Sequence, residues 1–141
     1  MLNDPVKTSP NMQKEMIEKN VILKLTFDFS LLVIDYCGRL EEKKKFVISR
    51  QLLRSGTSIG ANSFKAQPTQ SKGDFIHKIE VAAKECDETQ YWLLLCDYSK
   101  DYPDCKILLQ KQKEVRKVLN KILSTSKRKN PFSYLLSFFI F

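Results

Sequence analysis

The sequence predicts an all-α protein, an up-and-down antiparallel four-helix bundle. Only four glycines and five prolines occur among the 141 residues, so long uninterrupted helices are available. Apolar residues also recur at helical spacing along four segments that are joined by short connections. A chain of this length is sufficient for one domain with its own core.

The chain divides into a leader, a bundle and an apolar tail, which we place at residues 1–12, 13–129 and 130–141. The leader contains Pro5, Pro10 and small polar residues. The first helix is predicted from Gln13 to Leu40. Its centre, VILKLTFDFSLLVIDYC, is rich in β-formers, but its length without glycine or proline before Gly38 favours a buried helix.

The second helix is predicted from about Glu42 to Ala66. Its core face is expected to consist of Ile48, Leu52, Gly56, Ile59 and Ser63. Small residues are frequent along this helix, although each glycine costs about 1 kcal/mol of helix stability relative to alanine. We therefore expect a neighbouring backbone to approach it closely. The segment QPTQSKG predicts a turn, because Pro68 stops the helix.

The third helix is predicted to begin near Asp74, with Ser71 or Asp74 as its N-cap. Its apolar positions are spaced alternately four and three residues apart, which is typical of the seam of an antiparallel bundle. This seam comprises Phe75, Ile79, Ala82, Cys86, Thr89, Leu93 and Cys96. The segment DYPDC ends the helix, and the fourth helix follows. The core face of the fourth helix comprises Leu108, Val115, Val118, Leu119 and Ile122.

Basic side chains are concentrated on the second and fourth helices, and the net charge is +8. They form stripes opposite the core faces, which is the pattern expected for contact with a nucleic-acid backbone. The candidate nucleic-acid contacts are Lys43, Arg50, Arg54 and Lys65 on the second helix and Lys113, Lys117 and Lys121 on the fourth. A solvated lysine-rich face without a ligand is an equally weighted alternative.

The third helix becomes apolar on all sides at YWLLL, residues 91–95. A small bundle cannot cover every side of a helix, so the surplus apolar surface indicates contact with another copy of the chain. The candidate residues of this homo-oligomer interface are Tyr91, Trp92 and Leu95. Coverage of the same surface by the fourth helix and the tail is the alternative.

The single histidine, His77, is the first candidate for catalysis. It lies near Glu80 and Glu88 on the helical wheel, and a histidine–carboxylate pair supports general acid–base chemistry. Polar neighbours at this spacing, however, occur on any solvated helix face. One histidine and no C-x-x-C pair provide no zinc or di-metal motif. We therefore predict no catalytic residue, no metal and no cofactor, and a structural or interfacial histidine.

Cysteine usage and the absence of a signal-peptide pattern favour a cytoplasmic protein. The four cysteines are expected to be free thiols. The first sixteen residues, MLNDPVKTSPNMQKEM, lack the apolar core of a signal peptide. The uncharged stretch from Phe132 to Phe141 is too short for a membrane span, which needs about 20 residues. It is expected to pack against the bundle or a neighbouring subunit, and a surface membrane contact is the weaker alternative.

Two segments, RQLLRSGTSIGAN (50–62) and DFIHKIEVAAKECDETQYWLLL (74–95), carry a family resemblance. They closely resemble the bacterial four-helix-bundle family often encoded within intervening sequences of large-subunit ribosomal RNA genes. They are also similar to accessory proteins of diversity-generating retroelements. The resemblance extends from about Asn20 to Leu123. Lys65, where relatives often carry an acid, and Pro68 depart from the family pattern.

The resemblance implies an up-and-down four-helix bundle, commonly assembled as a homopentamer, without an established enzymatic activity. It also implies nucleic-acid binding and a reverse transcriptase-like partner, as in the retroelement relatives. The function predicted from the sequence is thus a non-enzymatic oligomeric bundle that binds RNA or DNA through its basic faces. A protein-interaction scaffold without nucleic-acid binding is the alternative.

Overall fold

The structure, a computed structural model, describes residues 10–127, which form five helices and no strand. The helices are α1 (Pro10–Lys19), α2 (Val21–Glu42), α3 (Phe46–Lys65), α4 (Lys72–Tyr98) and α5 (Lys106–Ser126). The prediction of an all-α protein is confirmed. Most of the predicted leader and all of the predicted tail lie outside the described residues.

The first predicted helix is wrong in one respect, because it consists of two helices separated at Asn20. This residue has an extended backbone, with φ −107° and ψ 121°. Its Oδ1 accepts a hydrogen bond from the backbone N–H of Leu23 at 3.2 Å, so Asn20 is the N-cap of α2. Its Nδ2 also donates to Oε1 of Gln67 at 3.4 Å. The helix before the break begins at Pro10, a residue that the first turn of a helix accepts.

The second predicted helix begins four residues later than expected, at Phe46 instead of Glu42. The preceding helix, α2, continues through Glu42, and the turn that follows contains Lys44 with a left-handed φ of 61°. A residue in this conformation commonly ends a helix. Lys43 therefore belongs to the connection between α2 and α3.

The helices α2 to α5 pack around one core. α2 packs against α3 and α5, α4 packs against the same two helices, and α1 packs on α2. Contacts at the two ends of α5 also hold the helices together. The Tyr36 hydroxyl of α2 donates to the carbonyl oxygen of Pro103, before α5, at 2.8 Å. Beyond the other end of α5, Lys127 Nζ lies 2.8 Å from Glu80 Oε1 of α4.

The predicted seam of the third helix is confirmed, because all seven of its residues are buried in α4. Ser71 is the N-cap, and its Oγ accepts a hydrogen bond from the Asp74 N–H at 3.1 Å. The glycine-containing helix also has a close neighbour, but at Gly56 this neighbour is a side chain of α2 and not the expected backbone. A Cβ atom at Gly56 of α3 would lie 2.8 Å from Cγ1 of Val33. The core face of α3 therefore lies directly against α2.

Candidate nucleic-acid interface and subunit surface

The basic residues predicted on the second helix differ in how far their charges are already compensated. Lys43 Nζ lies 2.9 Å from Oδ1 of Asp101, in the connection after α4. The hydrogen bond from Lys43, and the charge of Lys45, hold the pKa of the Asp101 carboxyl below its ordinary value. The charge of Lys43 is thus shared with a carboxylate of its own chain.

Arg54 connects α3 to α4. Its Nη1 lies 3.3 Å from Oε2 of Glu85, and its Nη2 contacts the Glu88 carboxylate. Exposed ion pairs of this kind contribute at most about 1 kcal/mol to stability. They nevertheless place two carboxylates beside the guanidinium, which weakens its attraction for a phosphate. Arg54 is therefore better suited to holding α3 against α4 than to being the main contact with a polyanion.

Arg50 and Lys65 are exposed on α3. Neither side chain forms an ion pair within residues 10–127. Lys65 borders an open hollow beside the α3–α4 turn. Lys78 lines the same hollow, and its Nζ lies 2.8 Å from Oδ1 of Asp74. Arg50 and Lys65 are thus both available to an anion, at separate points along α3.

Lys113, Arg116 and Lys117 of α5 line a groove of about 500 Å³. The carboxylate of Glu114 also lines it and pairs with Lys111 at 3.3 Å. Lys113 and Lys117 are exposed in it, beside the side-chain amides of Gln90 and Asn120. No carboxylate of the described chain lies within ion-pair distance of either lysine. Lys121 is exposed one turn further along α5. This groove combines uncompensated positive charge with hydrogen-bonding groups, which suits a phosphodiester backbone.

Two further side chains shape this groove, and the basic stripes had not indicated either of them. Arg116 donates to Asp87 of α4 from Nε at 2.9 Å and from Nη2 at 3.1 Å. Gln112 is 1% exposed, and its Nε2 donates to the Cys86 carbonyl oxygen at 3.2 Å. Both contacts hold α5 against α4. The acidic composition of α4 was the one available signal for the arginine contact.

The two predicted basic stripes do not meet in one surface. α3 and α5 each pack extensively on α2 and α4, but they are not an extensively packed pair with each other. Arg50 and Arg54 therefore lie on a different helix-to-helix edge from Lys113, Lys117 and Lys121. A straight polyanion that contacts the lysines of α5 does not simultaneously lie along α3.

The predicted subunit surface remains uncovered by the described residues. Tyr91 is 57% exposed and Leu95 is 37% exposed. The Tyr91 ring meets the half-buried Trp92 ring edge-on, with centroids 5.2 Å apart. The Trp92 Nε1 atom is buried without a hydrogen-bond acceptor in residues 10–127. Because α5 leaves these side chains exposed, it does not provide the coverage that one alternative required, and the tail lies outside the described residues.

A comparison with protein families shows which family the chain belongs to. The sequence model of the 23S rRNA-intervening sequence protein family matches residues 18–121. The chain belongs to this family. The match includes α2, α3, α4 and most of α5, and with them every candidate contact described above. The predicted relation to retroelement accessory proteins stays a prediction.

A solved structure supports the family assignment. It is a crystal structure, at 1.70 Å resolution, of a protein of unknown function from the S23 ribosomal protein family of Bacteroides thetaiotaomicron. It is 36% identical to this 23S rRNA-intervening sequence family protein, with a TM-score of 0.71. The alignment covers 74% of this chain and 99% of that chain. The comparison with curated proteins gives no match.

His77 and its acidic neighbour Glu80 are the remaining polar candidates in this family member. His77 is exposed on α4. Lys127 holds the pKa of the Glu80 carboxyl below its ordinary value, with smaller effects from Lys84 and His77. No cluster of three or more potential metal-ligating side chains occurs within the described part of the chain. Among residues 10–127, no helix has the length and apolar character that a membrane crossing requires.

The four cysteines are free and buried. Burial raises the pKa of the Cys37, Cys86 and Cys105 thiols to about 11, and it also raises that of Cys96. The protonated thiol is the unreactive form, so these residues act as small apolar members of the core.

Proposed function

We propose that this 23S rRNA-intervening sequence family protein is a non-enzymatic, oligomeric, up-and-down four-helix bundle that binds the backbone of RNA or DNA. The observation that carries the proposal is the α5 groove, where Lys113 and Lys117 have no carboxylate partner in the described chain. A helix rises 1.5 Å per residue, so Lys113, Lys117 and Lys121 follow one another at about 6 Å intervals. This row of charges follows a backbone without reading bases.

The other predicted contacts have a secondary place in this proposal. Arg50 and Lys65 have no ion-pair partner in the described part of the chain, and they add attraction at a second edge of the bundle. Lys43 and Arg54 contribute less, because Asp101 and the α4 carboxylates already offset their charges. No aromatic side chain of residues 10–127 lines the α5 groove, so base stacking contributes little.

Oligomerisation is the second part of the proposal. Copies of the chain associate through Tyr91, Trp92 and Leu95, which together leave a contiguous apolar surface on α4. The family resemblance suggests a homopentamer, which would repeat the α5 lysines around a ring. A cytoplasmic location and a reverse transcriptase-like partner complete the proposal, and both derive from the sequence pattern and the resemblance.

Titration of fluorescently labelled RNA tests the nucleic-acid part. We expect binding that weakens strongly between about 50 mM and about 200 mM salt, because released counterions drive the association. The double variant Lys113→Gln and Lys117→Gln should lower the slope of log affinity against log salt by about 1 to 2, since each lost phosphate contact contributes about 0.7 to 0.9.

A control variant separates a local contact from net charge. Lys24→Gln with Arg39→Gln removes the same charge from α2, where these residues pair with Asp28 and Asp35. This control should retain the wild-type slope. Equal losses in both variants would contradict a site on α5. No binding at low salt, together with an intact oligomer, would favour the interaction scaffold.

A further inference from the structure

An apolar groove of about 440 Å³ lies between α2 and α3. Its lining includes large apolar side chains, among them Phe27 and Ile34 of α2, Phe64 of α3 and Ile17 of α1, together with the small residues Gly60 and Ala61 of α3. Phe27 is 46% exposed and Ile34 is 51% exposed, so residues 10–127 leave the groove open. An open groove lined by large apolar side chains and small residues accepts inserted aromatic or aliphatic groups.

We propose that the segment Phe132–Phe141 of the same chain docks in this groove. Its sequence, FSYLLSFFIF, contains no charged residue and is dominated by aromatic and aliphatic side chains. The groove is also mainly apolar, since Lys65 is the one charged residue among the ten described residues that line it. Docking would remove both apolar surfaces from water, which is favourable in proportion to the area buried.

The position of α5 makes the groove reachable. The ion pair between Lys127 and Glu80 places the end of α5 beside the first turns of α4. α4 begins shortly after the end of α3, where Lys65 borders the groove. Packed helices are separated by about 8–10 Å. The five residues from Lys127 to Phe132 span up to about 17 Å when extended, which is enough to pass α2.

The lengths of the segment and the groove also agree. Thr26 and Ile34, at opposite ends of the α2 wall, are separated by about 12 Å along the helix axis. The ten residues of the segment are sufficient for this length in any conformation, since ten residues span about 15 Å as a helix and about 33 Å when extended. A short connection also gives the segment a millimolar effective concentration at its own groove, so docking within one chain is favoured over docking between chains.

The groove belongs to the family region, whereas the docking segment does not. The family match, residues 18–121, includes α2 and α3 but ends before Phe132. Docking would therefore be a feature that this chain adds to the family fold, independent of nucleic-acid binding on α5.

Limited digestion of the full chain with chymotrypsin, which cleaves after aromatic residues, tests this proposal. Mass spectrometry would follow cleavage within residues 132–141. We expect slow cleavage in the wild type and about tenfold faster cleavage in Ala61→Glu and in Ile34→Lys, because each variant places a charge in the groove and raises the undocked fraction. Both positions are exposed, so the fold should tolerate them, and circular dichroism would verify this.

The matched control is Ile107→Lys, which introduces the same change at an exposed site on α5. It should leave the cleavage rate unchanged. Rapid cleavage in the wild type, or equal rates in the groove variants and the wild type, would overturn the proposal. Protection that increases with protein concentration would also overturn it, because the segment would then occupy the groove of a second copy.

Discussion

At Gly56, α2 and α3 approach each other so closely that a larger side chain would not fit without a shift. An added Cβ would lie 2.8 Å from Cγ1 and 2.9 Å from Cγ2 of Val33. Val33 is fully buried and Gly56 is buried as well, so the valine side chain has little freedom to move away. The glycine thus lowers the intrinsic stability of α3 but allows close packing of α3 against α2.

Gly56→Ala should therefore destabilise the protein. Overpacking costs about 1–3 kcal/mol, whereas replacing a helical glycine with alanine returns about 1 kcal/mol, so we expect a net loss of about 1 kcal/mol. Urea denaturation followed by circular dichroism measures this change.

Gly38→Ala is the matched control, since it lies in α2 with nothing within 4 Å of the added Cβ. There the propensity term acts alone, and stability should rise by about 0.5–1 kcal/mol. A stabilised Gly56→Ala protein would show that the α2–α3 contact relaxes freely.

At the scale of helices, the sequence predicts interiors better than boundaries. The alternating four-three spacing identified every seam residue of α4, because burial follows directly from helical periodicity. Asn20 carried no comparable signal. Whether an asparagine caps a helix or continues it depends on neighbours such as Gln67, which lies 47 positions along the chain.

Asn20→Ala should lower the free energy of unfolding by about 1 kcal/mol, because it removes the acceptor for the Leu23 N–H. Thermal or urea denaturation would measure the loss. Asn11→Ala, at an exposed position in the first turn of α1, is the control and should be neutral or slightly stabilising. Equal effects of the two substitutions would argue against capping at Asn20.

At the scale of the whole molecule, the basic positions could be predicted but their partners could not. Periodicity places Arg54 outside the core, yet its contacts with Glu85 and Glu88 depend on the register of α3 against α4. Within residues 10–127, Lys113 and Lys117 have no carboxylate partner, and this too depends on how the helices pack. The packing of the helices therefore determines which of the basic residues keep their charge available to a ligand.

The apolar surface on α4 predicts a measurable assembly. Tyr91→Lys should reduce the mass measured by light scattering toward that of a single chain, because a charge replaces a large apolar contact in a desolvated interface. Val47→Lys, at a 72% exposed position on α3, is the control and should retain the wild-type mass. An unchanged mass in Tyr91→Lys would place the contact between copies elsewhere.

The acidic helix α4 lies between the two basic helices, and its carboxylates contact arginines on both sides. A strand bound along α5 that continued around the bundle toward α3 would meet Asp87, Glu85 and Glu88 on this route. On the other route it would meet the exposed apolar side chains of α2. Each copy of the chain would then hold a strand along a single edge. The number of strands bound in a complex would therefore equal the number of protein copies. The length of nucleic acid that is protected would increase in proportion to that number.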